Sequence, residues 1–466
     1  MVDEPHNLFK PVYEAFARES PSTLIMRIVT ERAFAAPAID ALFEATAERQ
    51  YTRDVLFSSM VGLMVLVVTG ARSSVHRAWQ RDKEAVGTSV KALYTKLAGV
   101  EPGVDRALVR HTGNRCAELV TALRAARPAA LGGMPRRIVD GMHIEASERR
   151  LDVLRDVAAG PRPGFALAVF DVERELVVDA LFEPDAHAQE RSRTNDLLAL
   201  ARPGECWIGD RNFCTVRYVT GLLAAGAHPL LRQHGHFPFE PRGARRHVGR
   251  AAAGEVYEQR IEVTNEDEGR TWALWRVTLE LDTPTRDGDT AIHLITDLPD
   301  HGVDAIACAE AYGERWTIEG CFLQMATALN AEINALGYPP AALFGLAVGF
   351  CAYNVLSTVR AALRAAHGAA TIDEGLSTFA LVEEARGAWR GLTVMIAAEL
   401  WARYHGMPAA DLADELRSLA RRFSLDDGFR KAKRGPKKPP PKRTRFKDHP
   451  HVATQRLLDE GRRKLS

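Results

Sequence analysis

The chain has few cysteines, and none at a useful spacing. Cys116, Cys206, Cys214, Cys308, Cys321 and Cys351 are scattered, with no Cys-x-x-Cys and no Cys/His pair at metal-ligand distance. This argues against a disulfide scaffold or a zinc ribbon and reads as reduced, mostly buried thiols in a cytoplasmic protein. The opening residues Met1-Val2-Asp3-Glu4-Pro5-His6 lack the basic and apolar regions of a signal peptide. Long apolar runs are missing too. Val55–Val68 and Ala341–Leu356 fall short of the roughly 20 residues that span a bilayer, and both read as buried helices. No internal repeat is present, and the formal net charge is only +1 at pH 7. That total hides an uneven distribution: residues 430–447 hold ten Lys or Arg and no acid, which leaves about −9 on the rest. A near-neutral total therefore hides a strongly basic tail on a mildly acidic body, and such a tail reads either as lying along phosphates or as a solubilising tail.

What is present is enough for several domains: 466 residues, 46% of them hydrophobic and 26% charged, as in ordinary globular proteins. Residues 1–130 carry helical periodicity, as in Ile39–Ala47 and Leu108–Leu123. Within them, a Thr88 or Ser89 cap begins a short helix bearing Lys91, Tyr94 and Lys96. It reads equally as a DNA-contacting helix or as an amphipathic helix with solvated lysines. The texture changes after Pro135. Arg137–Gly141 reads as a short apolar strand ending in an acid, Asp140, followed by a hairpin of Phe165–Phe170 and Leu176–Phe182 through the charged turn Asp171–Glu175. A helix over Asn195–Leu200, a strand Glu205–Asp210, a helix Val216–Ala225 and a strand His228–Arg232 follow. Consecutive strands followed by strand–helix alternation predict a mixed α/β sheet. Residues 233–298 read as a β-rich insertion with strands Val256–Val263, Thr271–Leu281 and Ala291–Thr296. The chain is then helical from 300 to about 425, before the Pro/Lys/Arg-rich stretch 430–450.

Three acids carry the chemistry. Asp140 and Asp210 fall at or just beyond the ends of two predicted strands, where an open α/β sheet collects reactive groups. Further on, Tyr312, Arg315 and Glu319 recur at i, i+3 and i+7, so one helix would present a phenol, a guanidinium and a carboxylate on one face. Ile318, Phe322, Met325 and Leu329 form a second stripe that docks this helix on a core. A lone Asp at a strand end is commonly a turn residue, and a lone Glu beside Arg a surface ion pair. The order of the elements sets these apart. Three converging carboxylates repel one another unless a cation neutralises them. Oxygen donors with open positions suit Mg²⁺ or Mn²⁺, and two such ions about 4 Å apart suit phosphodiester cleavage.

These residues give the chain a resemblance to a family. Asp140-Gly-Met-His143, Gly209-Asp-Arg-Asn-Phe213 and Tyr312-xx-Arg315-xxx-Glu319 resemble the bacterial DDE transposases of the insertion-sequence-4 group, the group that includes the transposon-5 enzyme. The likeness runs from about 135 to 360 and includes a β insertion before the glutamate. Gly435–Arg443 and His451–Thr454 also look like the ends of such proteins. The resemblance implies a ribonuclease H-like catalytic domain in which Asp140, Asp210 and Glu319 hold the metal ions. It also implies that Tyr312 and Arg315 contact DNA phosphate, by bidentate bonding for Arg. The corresponding division of the chain is as follows: a helical DNA-binding domain at 1–130, the first part of the catalytic domain at 131–232, and the β-rich insertion at 233–298. Completing catalytic helices at 299–365, a C-terminal helical region at 366–428 and a basic tail at 429–466 follow. The tail, with Lys437 and Lys438, would lie along phosphates. Double-stranded DNA, both element ends and target, is the implied partner of a homodimer in a synaptic complex, with no membrane involved. One departure stands out. The family's Tyr-(2)-Arg-(3)-Glu-(6)-Lys pattern ends here in Ala326 instead of Lys.

The implied function is therefore metal-dependent cleavage at transposon ends and joining of 3′-hydroxyls to target DNA. Two alternatives stay open: a catalytically impaired, transposase-derived DNA-binding protein, which Ala326 favours, and a ribonuclease H-like nuclease that cuts without joining. His143 is read either as pointing into the site or as finishing its strand, and Trp207 as core.

Overall fold

A computed structural model describes residues 6–50, 55–285, 288–432 and 451–465. At its centre lies a ten-stranded mixed sheet. Its strands are β1 (Arg136–His143), β2 (Phe165–Asp171), β3 (Leu176–Glu183), β4 (Cys206–Gly209), β5 (His228–Arg232), β6 (Glu240–Pro241), β7 (Arg246–Ala251), β8 (Gly254–Asn265), β9 (Arg270–Leu281) and β10 (Ala291–Thr296). They lie in the order β3-β2-β1-β4-β5-β10-β9-β8-β6, with β7 paired to β8 off that path. β1, β2 and β3 are successively antiparallel, whereas β1, β4 and β5 run parallel. An order of 3-2-1-4-5 with this mixture of directions is the ribonuclease H-like arrangement.

Side-chain alternation explains why both faces of this sheet are covered. In β2, Phe165, Leu167 and Val169 enter one apolar core while Ala166, Ala168 and Phe170 enter the other, as the two-residue strand period requires. Every residue of β2 is buried, so its sequence is an unbroken apolar run. One face packs against helices Pro102–Ala122 and Pro339–His367, the other against Thr194–Leu198 and Val216–Ala224. Gly113 allows the first helix to lie close on β3, since a Cβ there would come 2.9 Å from the Val177 carbonyl oxygen. β3 is the edge strand, and its exposed backbone is sealed by Asn354. The fully buried Asn354 accepts from the Val177 N–H and donates to the Val177 carbonyl, both at 2.8 Å.

Three features of the fold add to these expectations. The apolar stretch Ala341–Leu356 is only the middle of a 29-residue helix, which is long and apolar enough to cross a membrane by length and composition. The whole of its most apolar window is buried inside the fold, where it forms the spine of the larger core. Second, the 1–130 helices do not keep a core of their own. Leu24, Ile28, Phe57 and Met60 share one apolar cluster with Leu346, Phe350 and Leu412. Third, the β-rich insertion continues the central sheet, because β10 pairs with β5 through Leu294↔Arg232, Ile295↔Leu231 and Thr296↔Leu230. Its strand β7 was not anticipated: Arg246-His-Val-Gly-Arg-Ala251 is polar and largely exposed, with little apolar alternation to read.

The turn between β2 and β3 is a hairpin, as its charges predict, yet those charges are buried. Asp171, Glu173 and Glu175 are each nearly inaccessible, and each meets arginine: Asp171 with Arg137 at 3.0 Å, Glu173 with Arg136 at 2.8 Å, and Glu175 with Arg127 at 2.7 Å and with Arg364. Removing one partner would strand a buried charge, so the network holds the turn in a single arrangement.

Substituting Asn354→Leu should leave a buried N–H and a buried carbonyl unpaired, at a cost of about 2–5 kcal/mol. The expected readout is a clear fall in the thermal midpoint of the full chain; an unchanged midpoint would show that the clamp carries no stability.

Candidate active site

The site begins with strand register. Val139 of β1 pairs with Gly209 of β4 in parallel, so the next residue of each strand, Asp140 and Asp210, emerges from the same sheet edge about one strand spacing (~5 Å) apart. Each aspartate turns back on its own backbone. Asp140 Oδ1 accepts from the Gly141 N–H at 2.9 Å, and Asp210 Oδ1 from the Asn212 N–H at 2.7 Å. Burial pushes the Asp140 carboxyl up to about 6, with Arg315 and the Gly141 N–H opposing and Asp210 and Glu190 adding repulsion. Asp210 is raised as well, first by burial and then by Glu190, against the pull of the Asn212 N–H.

The third acid arrives on a helix, but not on the single helix that the sequence spacing predicts. Tyr312 lies near the end of helix Ala305–Gly313, and Glu319 lies in the first turn of helix Trp316–Thr327. Between them the backbone tightens into i→i+3 bonds, Glu314 N–H to Ala311 at 3.2 Å and Arg315 N–H to Tyr312 at 3.0 Å. Gly313 weakens the helix at this point, and Glu314 is drawn to Arg136 at the base of β1, Oε1 to Nη1 2.9 Å. Arg315, the next residue, reaches the other end of β1. Its Nη1 donates to Asp140 Oδ2 at 3.2 Å and its Nη2 to Glu319 Oε1 at 2.8 Å. Partial burial works against the guanidinium, but Tyr312, Asp140 and Glu319 together hold it above its ordinary value. The stripe behind Glu319 docks as predicted, with Ile318, Met325 and Leu329 buried and Phe322 packed alongside.

Tyr312, which the resemblance assigns to DNA phosphate, lies behind Arg315. It is only 5% exposed, its phenol is pushed up to about 12 mainly by burial, and it bonds to Arg315. Its phenol is set against the guanidinium. Among the lysines, Lys91 is exposed on helix Val90–Leu97, whose cap is Ser89. Lys96 is turned inward, donating to the Val55 carbonyl and lying 5.2 Å from the Phe43 ring. Lys437 and Lys438 lie outside the described residues. Trp207 is core, 1% exposed, with Nε1 donating to Glu205 at 3.2 Å.

Sequence reasoning missed Glu190. It begins the 3-10 turn Glu190–Arg193 after β3, and nothing in Gln189 or Arg191 marks it. The fold lays it over β1: a Cβ on Gly141 would come 1.9 Å from Glu190 Oε1, and His143 Nε2 lies 3.5 Å from the same oxygen. Glycine at 141 therefore leaves room for a fourth carboxylate. His143 faces this group while stacking on Phe165 at 4.8 Å, so it both finishes its strand and borders the site. Trp316 and Leu323, 58% and 60% exposed, flank Glu319 as an apolar shelf that the sequence reading did not single out. Ala326 is exposed on the same side of that helix.

Asp140, Asp210 and Glu190 are neighbouring carboxylates, the two aspartates pushed up, with Glu319 joined to Asp140 through Arg315; such oxygen donors suit a hard divalent ion. The fit has one qualification in geometry. Among the described residues, the trio whose ligand atoms all lie within 4.8 Å of one another is His228, Asp297 and His301, not the acidic triad. Arg315 stands between Asp140 and Glu319 and supplies their counter-charge.

Asp140 lies within the first strand, which runs on to His143 instead of ending at the acid as expected, while Asp210 follows the fourth and Glu319 sits on the closing helix; on a ribonuclease H-like sheet this fits a nucleic-acid-cleaving class of protein. Residues 131–355, which contain all four carboxylates, match the family described as "Transposase DDE domain". The match spans just under half of the chain, and it supports a DNA transposase of the polynucleotidyl-transferase type. No curated protein sequence matches the chain. Among solved structures it is similar to the piggyBac transposase in a synaptic complex with hairpin DNA, at a TM-score of 0.40 and 11% identity, covering 87% of this chain and 86% of that one.

If Glu190 belongs to the ion-binding set, Glu190→Gln should weaken Mn²⁺ binding by about 10–100-fold in a titration followed by electron paramagnetic resonance. Unchanged binding would restrict the set to the other three acids.

Proposed function

We propose that this chain is a transposase of the insertion-sequence-4 group that cleaves DNA at the ends of its element and joins the freed 3′-hydroxyls to target DNA. The observation that carries this is the side-by-side exit of Asp140 and Asp210, with Glu319 tied to the same point through Arg315. Asp140, Asp210 and Glu319, with Glu190 beside them, would hold Mg²⁺ or Mn²⁺, two ions in the full site. Such ions activate a water or 3′-hydroxyl and stabilise the leaving oxygen. The protein's own groups do the positioning. Arg315, planar and charged at all working pH, turns from its carboxylates to a phosphate oxygen and fixes the backbone by paired N–H donors. Tyr312 steadies that guanidinium from below. Trp316 and Leu323 offer flat apolar surface next to the scissile position.

Sequence-independent grip would come from Lys91 and from the basic 430–447 stretch with Lys437 and Lys438. On either side of the residues outside the described range, Lys431 donates to the Asp373 carbonyl and Val452–Ala453 pairs with Pro161–Arg162. Both ends of an element must be handled together, so we place the chain in a homodimer on DNA, acting in the cytoplasm at the nucleoid. Ala326 favours a second reading: with an exposed alanine where the group carries lysine, the chain would bind ends without completing the reaction.

A strand-transfer assay with Mg²⁺ and a pre-cut 3′-end substrate separates these readings. Wild type should join the ends, and Asp210→Ala or Glu319→Ala should lower product by about 10³-fold or more. Equal product from wild type and variants would refute the triad. Cleavage without joining would indicate a nuclease. DNA binding with no product from wild type would favour the impaired protein.

A further inference from the structure

At the opposite end of the parallel strands from the acids, a different donor set comes together. His228 opens β5, while Asp297 follows β10 and caps the 3-10 turn Leu298–His301, whose last residue is His301. The antiparallel pairing of β10 with β5 places Thr296 opposite Leu230, which brings Asp297 alongside the start of β5. His228 Nδ1 lies 2.9 Å from Asp297 Oδ2, and His301 Nε2 lies 3.2 Å from the same oxygen. One donor atom from each residue falls within 4.8 Å of the others. The two imidazoles meet edge to face with centroids 4.3 Å apart.

We propose that His228, Asp297 and His301 bind a transition-metal ion of the zinc class, which ties the start of β5 to the exit of the β insertion. Two imidazoles and a carboxylate are a zinc donor set, whereas magnesium prefers oxygen alone. With bonds of about 2.0–2.1 Å, tetrahedral ligands sit about 3.3 Å apart, close to the spacings present. A hydrogen-bonded His–Asp–His cluster would satisfy only one carboxylate oxygen. Asp297 is 7% exposed, and its second oxygen, Oδ1, is buried with no hydrogen-bond partner, a costly arrangement that a bound cation relieves. His301, half-exposed, gives the ion a way in. Such an ion would brace the turn that leads through the Asp304 cap into helix Ala305–Gly313 and on to Arg315. This site is independent of the acidic one and of its assigned reaction.

The test uses the full-length chain, dialysed with zinc against excess Mg²⁺ and analysed for metal, together with the visible spectrum of the Co²⁺-loaded chain. Wild type should retain a single zinc ion and show an imidazole-ligated cobalt band. Both should persist in Asp210→Asn and fall at least about tenfold in His228→Gln and His301→Gln. Because His301 is half-exposed, its variant should fold even if the buried His228 variant does not. No retained zinc in wild type, zinc unchanged in His301→Gln, or a cobalt band that disappears with Asp210→Asn would each overturn the proposal.

Discussion

The structure depends above all on one parallel pairing. Arg136–Val139 runs beside Cys206–Gly209, and that register delivers Asp140 and Asp210 to one edge at one strand spacing. A slip of one residue would turn an acid to the other face, since side chains alternate along a strand. Like charges so close repel, so the pairing is sustained by what surrounds it: apolar cores on both faces, turn bonds from Gly141 and Asn212 to each carboxylate, and the Arg315 guanidinium. The acids are therefore held in place by a fold strong enough to bear their repulsion.

Arg315 links this edge to the rest of the chain. The residue before it, Glu314, is held at the base of β1 by Arg136, and Arg315 itself holds Asp140 near the top. Two successive junction residues thus fasten the closing helices along the length of β1. Arg136 also binds Glu173 in the buried β2–β3 turn, where Arg127, Arg137 and Arg364 neutralise the remaining acids. Arginine is suited to such positions because its planar fork meets several carboxylate oxygens while its weak hydration tolerates burial. The same chemistry that stabilises the hairpin therefore also aligns the helix carrying Glu319.

Much of the strand layout was legible because it rests on local pattern. β5 and β10 begin and end where alternation and flanking turns predict, and the Phe165–Asp171 and Leu176–Glu183 hairpin follows its apolar runs and its charged turn. β7 was illegible because an edge strand that buries little need not alternate. The single helix expected through Tyr312, Arg315 and Glu319 is two helices, since periodicity cannot register a junction set by a distant ion pair such as Arg136–Glu314. Tyr312 keeps its helical spacing from Arg315 but is buried, because the depth of a face depends on what packs against it.

By itself the sequence determined which acids belong to the two neighbouring strands, the order strand–Asp, hairpin, strand–Asp, insertion and helix–Glu, and the basic character of 430–447. These are properties of short segments and their succession, governed by local backbone preference and hydrophobic period. The continuation of β1 past Asp140 to His143 was set instead by its pairing with β2. Only the tertiary structure decided that Glu190 lies above Gly141, that Arg315 stands between Asp140 and Glu319, and that His228 meets Asp297 and His301 across two paired strands. Each of these joins residues many positions apart, brought together by strand pairing and core burial, and no local preference encodes such a meeting.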